Sequence, residues 1–273
     1  MYPKTTAKLT LALSLLLPAI ATAQTLEELQ SPDPAVRGFA IAQRADVSDT
    51  GFGASTVVLT MTLGDSRGRE TTRDLQIDTL EKKGEGNGDW SVTRFSSPPD
   101  VEGTALLSQA RILESDRQWL YLPALRRVKR ISSANKSGPF VGSEFAFEDL
   151  TASELGKYAY TYLGTETLED GSVVDKLRCD PRYERSGYTK LYCYFDTQTF
   201  QARRLEFFDR GDRLFKTLDL LDYRRYDGGY YRSHRQRMKN HLTGKTTELR
   251  FEPFDFSADL DRRDFEPAAL QAF

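Results

Sequence analysis

The sequence predicts a mainly β (α+β) fold: a single antiparallel, strongly curved half-barrel of about ten strands, with short helices forming a lid. Three observations predict it. From residue 56 onward apolar residues recur with a period of two, as in half-buried strands. The runs are joined by hairpin-turn residues such as Gly211-Asp212, Asp227-Gly228-Gly229 and Thr243-Gly244-Lys245. An open sheet of that length curls or closes. Its concave apolar face then needs a cover, and the helical segments near the start and middle of the chain are the available material.

Residues 1–23 read as a secretory signal peptide rather than as part of the fold. Lys4 and Lys8 make a positive start, Leu9 to Leu17 a short apolar run closed by Pro18, and Ala21-Thr22-Ala23 a small-residue site for cleavage after Ala23. The run falls short of the roughly 20 residues that span a bilayer. Gln24, not Cys, follows the cut, so no lipid anchor is expected there. The expectation is a soluble, monomeric periplasmic chain with one domain over residues 24–273 and no integral membrane segment. Hydrophobic residues are 39% and charged residues 29%, a globular composition. A net charge of −2 gives no reason to propose nucleic acid as a partner.

Residues 26–45 suggest one or two short helices broken at Pro32 and Pro34, with Val36, Phe39 and Ile41 able to face a core. Residues 56–63 then place Val57, Leu59, Met61 and Leu63 on one strand face. A Gly64 to Gly68 turn leads to a partner strand at 70–80, with Leu75 and Ile77 inward. Strand 90–95 stops at Pro98-Pro99; residues 101–107 read as a helical turn or short edge element, and 111–114, 118–122 and 127–132 as short strands. Phe147-Glu148-Asp149-Leu150 opens a brief helix, and strand 157–163 carries Tyr158, Tyr160 and Tyr162 on one face, read as a packed stripe. Four more strands follow at 200–209, 214–223, 230–239 and 246–252, then a polar tail with Phe265, Leu270 and Phe273.

Between them, 173–179 and 188–195 form a hairpin about Arg185-Ser186-Gly187. Pivoting on Ser186 sets Cys179 opposite Cys193 and Leu177 opposite Phe195. In an exported chain this favours a structural disulfide, contributing about 3 kcal/mol by the chain-entropy model. Two buried free thiols are the alternative.

The most informative stretch is 119–148. Trp119, Tyr121 and Pro123 share one strand face and Leu120 and Leu122 the other. Either the aromatic set lines the wall of a cavity or both faces are simply packed. Arg126, Arg127, Lys129 and Arg130 are four cations in five positions. They form either a solvated face or a contact for an anionic lipid headgroup or an acidic partner, since arginine suits bidentate phosphate contacts. A loop with Gly138 and Gly142 carries Phe140, Phe145 and Phe147, either as its anchor or as a gate over the cavity. Aromatics beside cations suit a ligand with an oily body and an anionic head. Catalytic signals are poor: neither G-x-S-x-G nor H-E-x-x-H is present. His234 and His241 are seven apart, on opposite faces of a strand, and Asp255, Asp259, Asp261 and Asp264 lack the pattern of a calcium loop. No enzyme activity, metal or cofactor is expected.

The signal peptide, the Trp119-x-Tyr121-x-Pro123-Ala124-x-Arg126-Arg127-Val128-x-Arg130 run, the Phe140-x-Gly142-Ser143-x-Phe145 loop and the Phe147-Glu148-Asp149-Leu150 start together resemble the LolA/LolB-like superfamily. Within it they resemble the outer membrane lipoprotein-sorting branch, over essentially the whole mature chain. The resemblance implies an incomplete antiparallel barrel closed by helices and transient binding of lipid or lipoprotein acyl chains in a hydrophobic cavity. It also implies a neighbourhood of RND-type transporters or an outer-membrane acceptor as candidate partners. LolA-type carriers hold their lid with an arginine inside the barrel, for which this sequence offers no evident counterpart. Two functions follow: a carrier without covalent chemistry, or an accessory or sensor subunit of an RND-type transporter or envelope-stress system acting through protein contacts.

Overall fold

The computed structural model describes residues 26–81, 86–151 and 154–271. The signal peptide and Phe273 lie outside the described residues. Residues 26–29 are helical, and Asp33 then caps helix α1 (Pro34–Val47) by accepting from the Ala35 amide at 2.8 Å. Proline at the first helical position needs no amide partner there.

The strands are β1 (Ala54–Gly64), β2 (Glu70–Leu80), β3 (Asn87–Ser97), β4 (Ala105–Arg111), β5 (Arg117–Leu122), β6 (Arg127–Ile131), β7 (Tyr158–Thr167), β8 (Val173–Pro181), β9 (Lys190–Asp196), β10 (Ala202–Phe208), β11 (Leu214–Arg225), β12 (Tyr231–Asn240) and β13 (Thr246–Phe251). All thirteen form one open antiparallel sheet in the order β6-β5-β4-β3-β2-β1-β13-β12-β11-β10-β9-β8-β7. The class is the expected one, with somewhat more strands. Two meanders run outward from the first and last strands, which pair with each other: Leu59 faces Phe251 and Met61 faces Leu249. The β1–β2 register sets Val57 against Ile77 and Leu59 against Leu75, so the period-two apolar sets meet on one buried face.

Both faces are covered over part of the sheet. On one side α1 packs along β7, and Ile41, Leu59, Met61, Leu75, Leu177, Met238 and Leu249 are among the core residues. On the other side the C-terminal 3-10 turns Arg262–Phe265 and Pro267–Gln271 press Phe265 and Leu270 onto Val92, Ala105 and Leu107. Asp261 caps the first of these turns through the Arg263 amide at 2.7 Å.

Several expectations need correction. The fourth strand is Ala105–Arg111, not 111–114, which lies mostly in the following turn. Nearly every residue of β4 is buried, so its sequence does not alternate. In α1 only Ile41 faces the core; Val36 and Phe39 are 41% and 45% exposed. The helix approaches the sheet through Gly38, too closely for a phenylalanine to lie between. The hairpin register is also different: Leu177 faces Cys193 and Cys179 faces Leu191. The loop turns through Arg185, at φ 59°, one residue before the assumed pivot. Cys179 and Cys193 are therefore diagonal neighbours on the buried face. Their sulfurs lie 2.7 Å apart with no S–S bond drawn between them.

A Cβ on Gly38 would lie 2.8 Å from the Tyr162 amide nitrogen and 3.1 Å from two Thr161 backbone atoms. Gly38→Ala would gain about 1 kcal/mol of helix propensity, yet it must push α1 off β7. The expected result is a net loss of about 1–3 kcal/mol, seen as a lower midpoint in thermal unfolding. A raised midpoint would refute this account of the helix seat.

Candidate functional site

Because β6 and β7 are opposite edges, the chain between them must pass over the concave face. Residues 132–151 and 154–157 belong to that crossing and are called the strap. A short turn lies at its centre, with the Phe140 amide donating to the Phe145 carbonyl at 2.7 Å and Pro139 bridging Ala146. Val141 sits there at φ 47° beside Gly142 at φ 76°. A β-branched residue in the left-handed region carries strain of order 1–3 kcal/mol. The Val141 carbonyl accepts from Arg73 of β2.

The turn drives three rings inward. Phe140 is wholly buried and Phe145 nearly so. The Phe140 ring lies 5.6 Å from Phe95 and 5.8 Å from Phe147. Tyr158, Tyr160 and Tyr162 pack against the same cluster, as a sheet face would. The hollow of the half-barrel is thus filled by the chain's own aromatics. Among the described residues, two open clefts of about 390 Å³ each flank the strap. One is bordered by Ser137, Tyr188, Arg210 and Phe215, the other by Leu63, Arg69, Gly142 and Glu144.

The strap is fastened by polar contacts under and around its aromatics. Lys216 of β11 is 1% exposed. Its Nζ pairs with Asp149 Oδ2 at 2.5 Å and donates to the Glu144 carbonyl at 3.2 Å. Tyr188 Oη and the Ala146 amide also donate to Asp149, each at 2.7 Å. Glu144 is held by β12 and β13: Asn240 Nδ2 donates to its carboxylate at 2.6 Å, and its amide donates to Thr247 Oγ1 at 2.9 Å. Gln118 Nε2 of β5 reaches the Phe147 carbonyl at 2.8 Å. Near the strap's end, Lys157 pairs with Asp116 at 3.0 Å, and the Asp89 amide donates to Glu154 at 2.8 Å. These contacts tie the strap to β5, β11, β12 and β13, and its end to β3 and Asp116. Removing one partner of such a buried pair costs roughly 3–5 kcal/mol, because the other charge is left bare.

Glu148 is buried beside this network and accepts from the Gly187 amide at 2.8 Å. A Cβ at Gly187 would lie 2.5 Å from the carboxylate, so the approach requires glycine. Burial, helped by the neighbouring Asp149 charge, pushes the Glu148 carboxyl above its ordinary range, while the Gly187 amide, Lys136 and Ser186 pull it back. Burial likewise pushes Lys136 down.

The structure splits the residues singled out in the sequence into three places. Phe140, Phe145 and Phe147 come together inside. Trp119 and Tyr121 lie on the outer face with Val128, beneath Phe265 and Leu270, so they do not line the concave face. Leu120, on the opposite phase, packs against the inner cluster. Leu122 and Pro123 are half-buried at the β5–β6 turn. Arg126, Arg127, Lys129 and Arg130 are exposed on the edge hairpin, and none has an ion-pair partner among the described residues. Arg130 lies over the Trp119 ring at 5.9 Å, whereas Lys129 sits across from Leu120, so the cations project on both sides of the hairpin. Lys216 and Asp149 were not anticipated. Their signal was a lone lysine in phase with Leu218 and Leu220 on β11.

A family model described as that of an uncharacterized protein matches residues 87–272. No curated protein matches the chain significantly. An outer membrane lipoprotein-sorting protein domain from Vibrio parahaemolyticus is 42% identical, with a TM-score of 0.83 over 87% of this chain and 99% of that one. A DUF1329 family protein from Desulfovibrio piger is 26% identical, with a TM-score of 0.82 over the same shares, 87% and 99%. A LolA superfamily protein from Nitrosomonas europaea shares the fold at 20% identity, with a TM-score of 0.67 over 83% of this chain and 96% of that one.

Two outcomes are expected of the strap. Phe140→Ala should cost about 3–5 kcal/mol in denaturant unfolding; a loss under about 1 kcal/mol would show that the ring does not fill the core. The second concerns pH. Because Glu148 is raised on folding, its stabilising contribution is present below the ordinary carboxylate value and is lost as pH rises through the raised one. Glu148→Gln carries no such charge. Its stability relative to the parent should therefore rise as pH increases above the ordinary carboxylate value, and a pH-independent difference would contradict the burial effect.

Proposed function

The chain belongs to the outer membrane lipoprotein-sorting family and shares the fold of a LolA superfamily protein, and on that premise we propose that it is a periplasmic carrier for the acyl part of a lipid or lipoprotein. It shields the chain from water during transfer and performs no covalent chemistry. What supports this reading is the 42% identity to an outer membrane lipoprotein-sorting domain over 87% of the chain; in the closed state described here the strap aromatics fill the concave face, so the reading requires the strap to lift. Phe140 and Phe145 occupy the space a hydrocarbon tail would take, so cargo would enter by displacing them together with the strap. The apolar terms nearly balance, while the Lys216–Asp149 pair broken by the same movement adds roughly 3–5 kcal/mol that the cargo must also offset. Withdrawing two buried phenylalanines costs roughly 6–10 kcal/mol, and burying about a dozen methylenes returns roughly 10 kcal/mol. Strain at Val141 assists opening. The exposed cations Arg126, Arg127, Lys129 and Arg130 serve as the contact for anionic headgroups or an acidic partner. Among the described residues no helix is long and apolar enough to cross a membrane.

The same filling favours a second reading, in which the closed state is the working one. The chain would then be an accessory or sensor subunit of an RND-type transporter or envelope-stress system.

Gentle purification from periplasm, native mass spectrometry and lipid extraction should find a lipid travelling with the protein. A strap locked to β13 by the pair Glu144→Cys and Thr247→Cys should lose lipid when oxidised and regain it on reduction. Undiminished binding by the oxidised variant would overturn the gate. A stoichiometric membrane partner captured by crosslinking, with no lipid in any preparation, would favour the second reading.

A further inference from the structure

We propose that the cargo must carry an anionic head, and that Lys216 with Tyr188 forms the subsite for its carboxylate or phosphate once the strap lifts. The inference rests on the carrier reading and narrows it to a ligand class.

Three observations point to this. First, both polar anchors of the Lys216 ammonium come from the strap: the Asp149 carboxylate and the Glu144 carbonyl. The other groups described around it are rings: Tyr188 and Phe207 at 5.1 Å and Phe215 at 5.6 Å from Nζ. Its cross-strand neighbour Asn240 is engaged with Glu144. When Phe140 and Phe145 leave, Asp149 and Glu144 leave with them, and Lys216 stays in an aromatic bowl without a counter-charge. Such a stranded cation is heavily penalised, and ring faces compensate only partly. A neutral lipid satisfies the apolar surface alone. An anionic amphiphile satisfies the apolar surface and the ammonium together.

Second, the vacated position is already shaped for an oxyanion. Tyr188 Oη donates to Asp149 Oδ1 while Lys216 Nζ holds Oδ2, so a carboxylate or phosphate can take the place of the Asp149 carboxylate oxygen for oxygen. Third, the place is reachable from outside. Tyr188 and Phe215, two walls of the bowl, also line one of the open clefts beside the strap, with Arg210 and the Arg213–Asp209 ion pair at its rim.

The test compares ligands of equal chain length on the mature protein by displacement of a lipophilic fluorophore. Palmitate and palmitoyl lysophosphatidic acid are the anionic arms, carboxylate and phosphate; hexadecanol and monopalmitoylglycerol are the neutral arms. At least one anionic arm should bind about ten-fold tighter than the neutral ones, and the arm that does so identifies the head. The preference should survive high salt, because screening acts on the exposed β6 cations and little on a buried site. Lys216→Met should abolish the preference while neutral chains still bind, and Lys216→Arg should keep it. Circular dichroism checks that each variant folds; if Lys216→Met does not, the parent's ligand series and Tyr188→Phe, expected to shrink the preference, decide the matter. Equal binding of neutral and anionic chains by the parent, or an unchanged preference in Lys216→Met, overturns this inference and leaves the carrier reading intact. Failure of every chain to bind overturns both.

Discussion

Pairing of the first strand with the last is the constraint from which the site follows. Once β1 lies against β13, the two meanders grow in opposite directions and β6 and β7 become the outer edges. The chain between them has no short way round, so it crosses the hollow. Strands supply the bowl, and the crossing supplies what fills it. The candidate site is therefore built from a non-strand segment laid on strands, which is where movable parts can be placed without breaking a ladder of backbone hydrogen bonds.

Two kinds of interaction hold that crossing, and they behave differently when it moves. The aromatic contacts are graded and can be replaced by any hydrocarbon of similar bulk. The ionic contacts of Lys216 and Lys157 are all-or-none, because a buried charge tolerates no half-made pair. The first sort of contact depends on bulk alone, and the second on the chemistry of the partner. On the outer face the C-terminal turns brace β3 to β6.

Much of this was legible in the sequence. The alternation of Val57, Leu59, Met61 and Leu63 announced a half-buried strand, and the turn residues announced the meander. The parity of Trp119, Tyr121 and Leu120 was legible as well, but not which parity faced inward. Both faces of β4 and β5 are covered, one by the strap and one by the tail, so two apolar phases coexist. The same double burial hid β4, whose Ala105-Leu106-Leu107 run has no period. Asp149 read as a helix-start residue because its partner lies far along the chain, on β11. Charge pairs across that distance leave no local pattern, except that Lys216 interrupts an apolar phase.

The meeting of residue 59 with residue 251 also governs how such a chain acquires its shape. Contacts this remote in sequence cannot form until almost all of the polypeptide is present, and high contact order slows the search. A nascent chain would have its hairpins without its closure, exposing an unpaired β1 edge. A fold whose closure waits for its thirteenth strand depends on its local hairpins to hold β1 in place until that strand arrives.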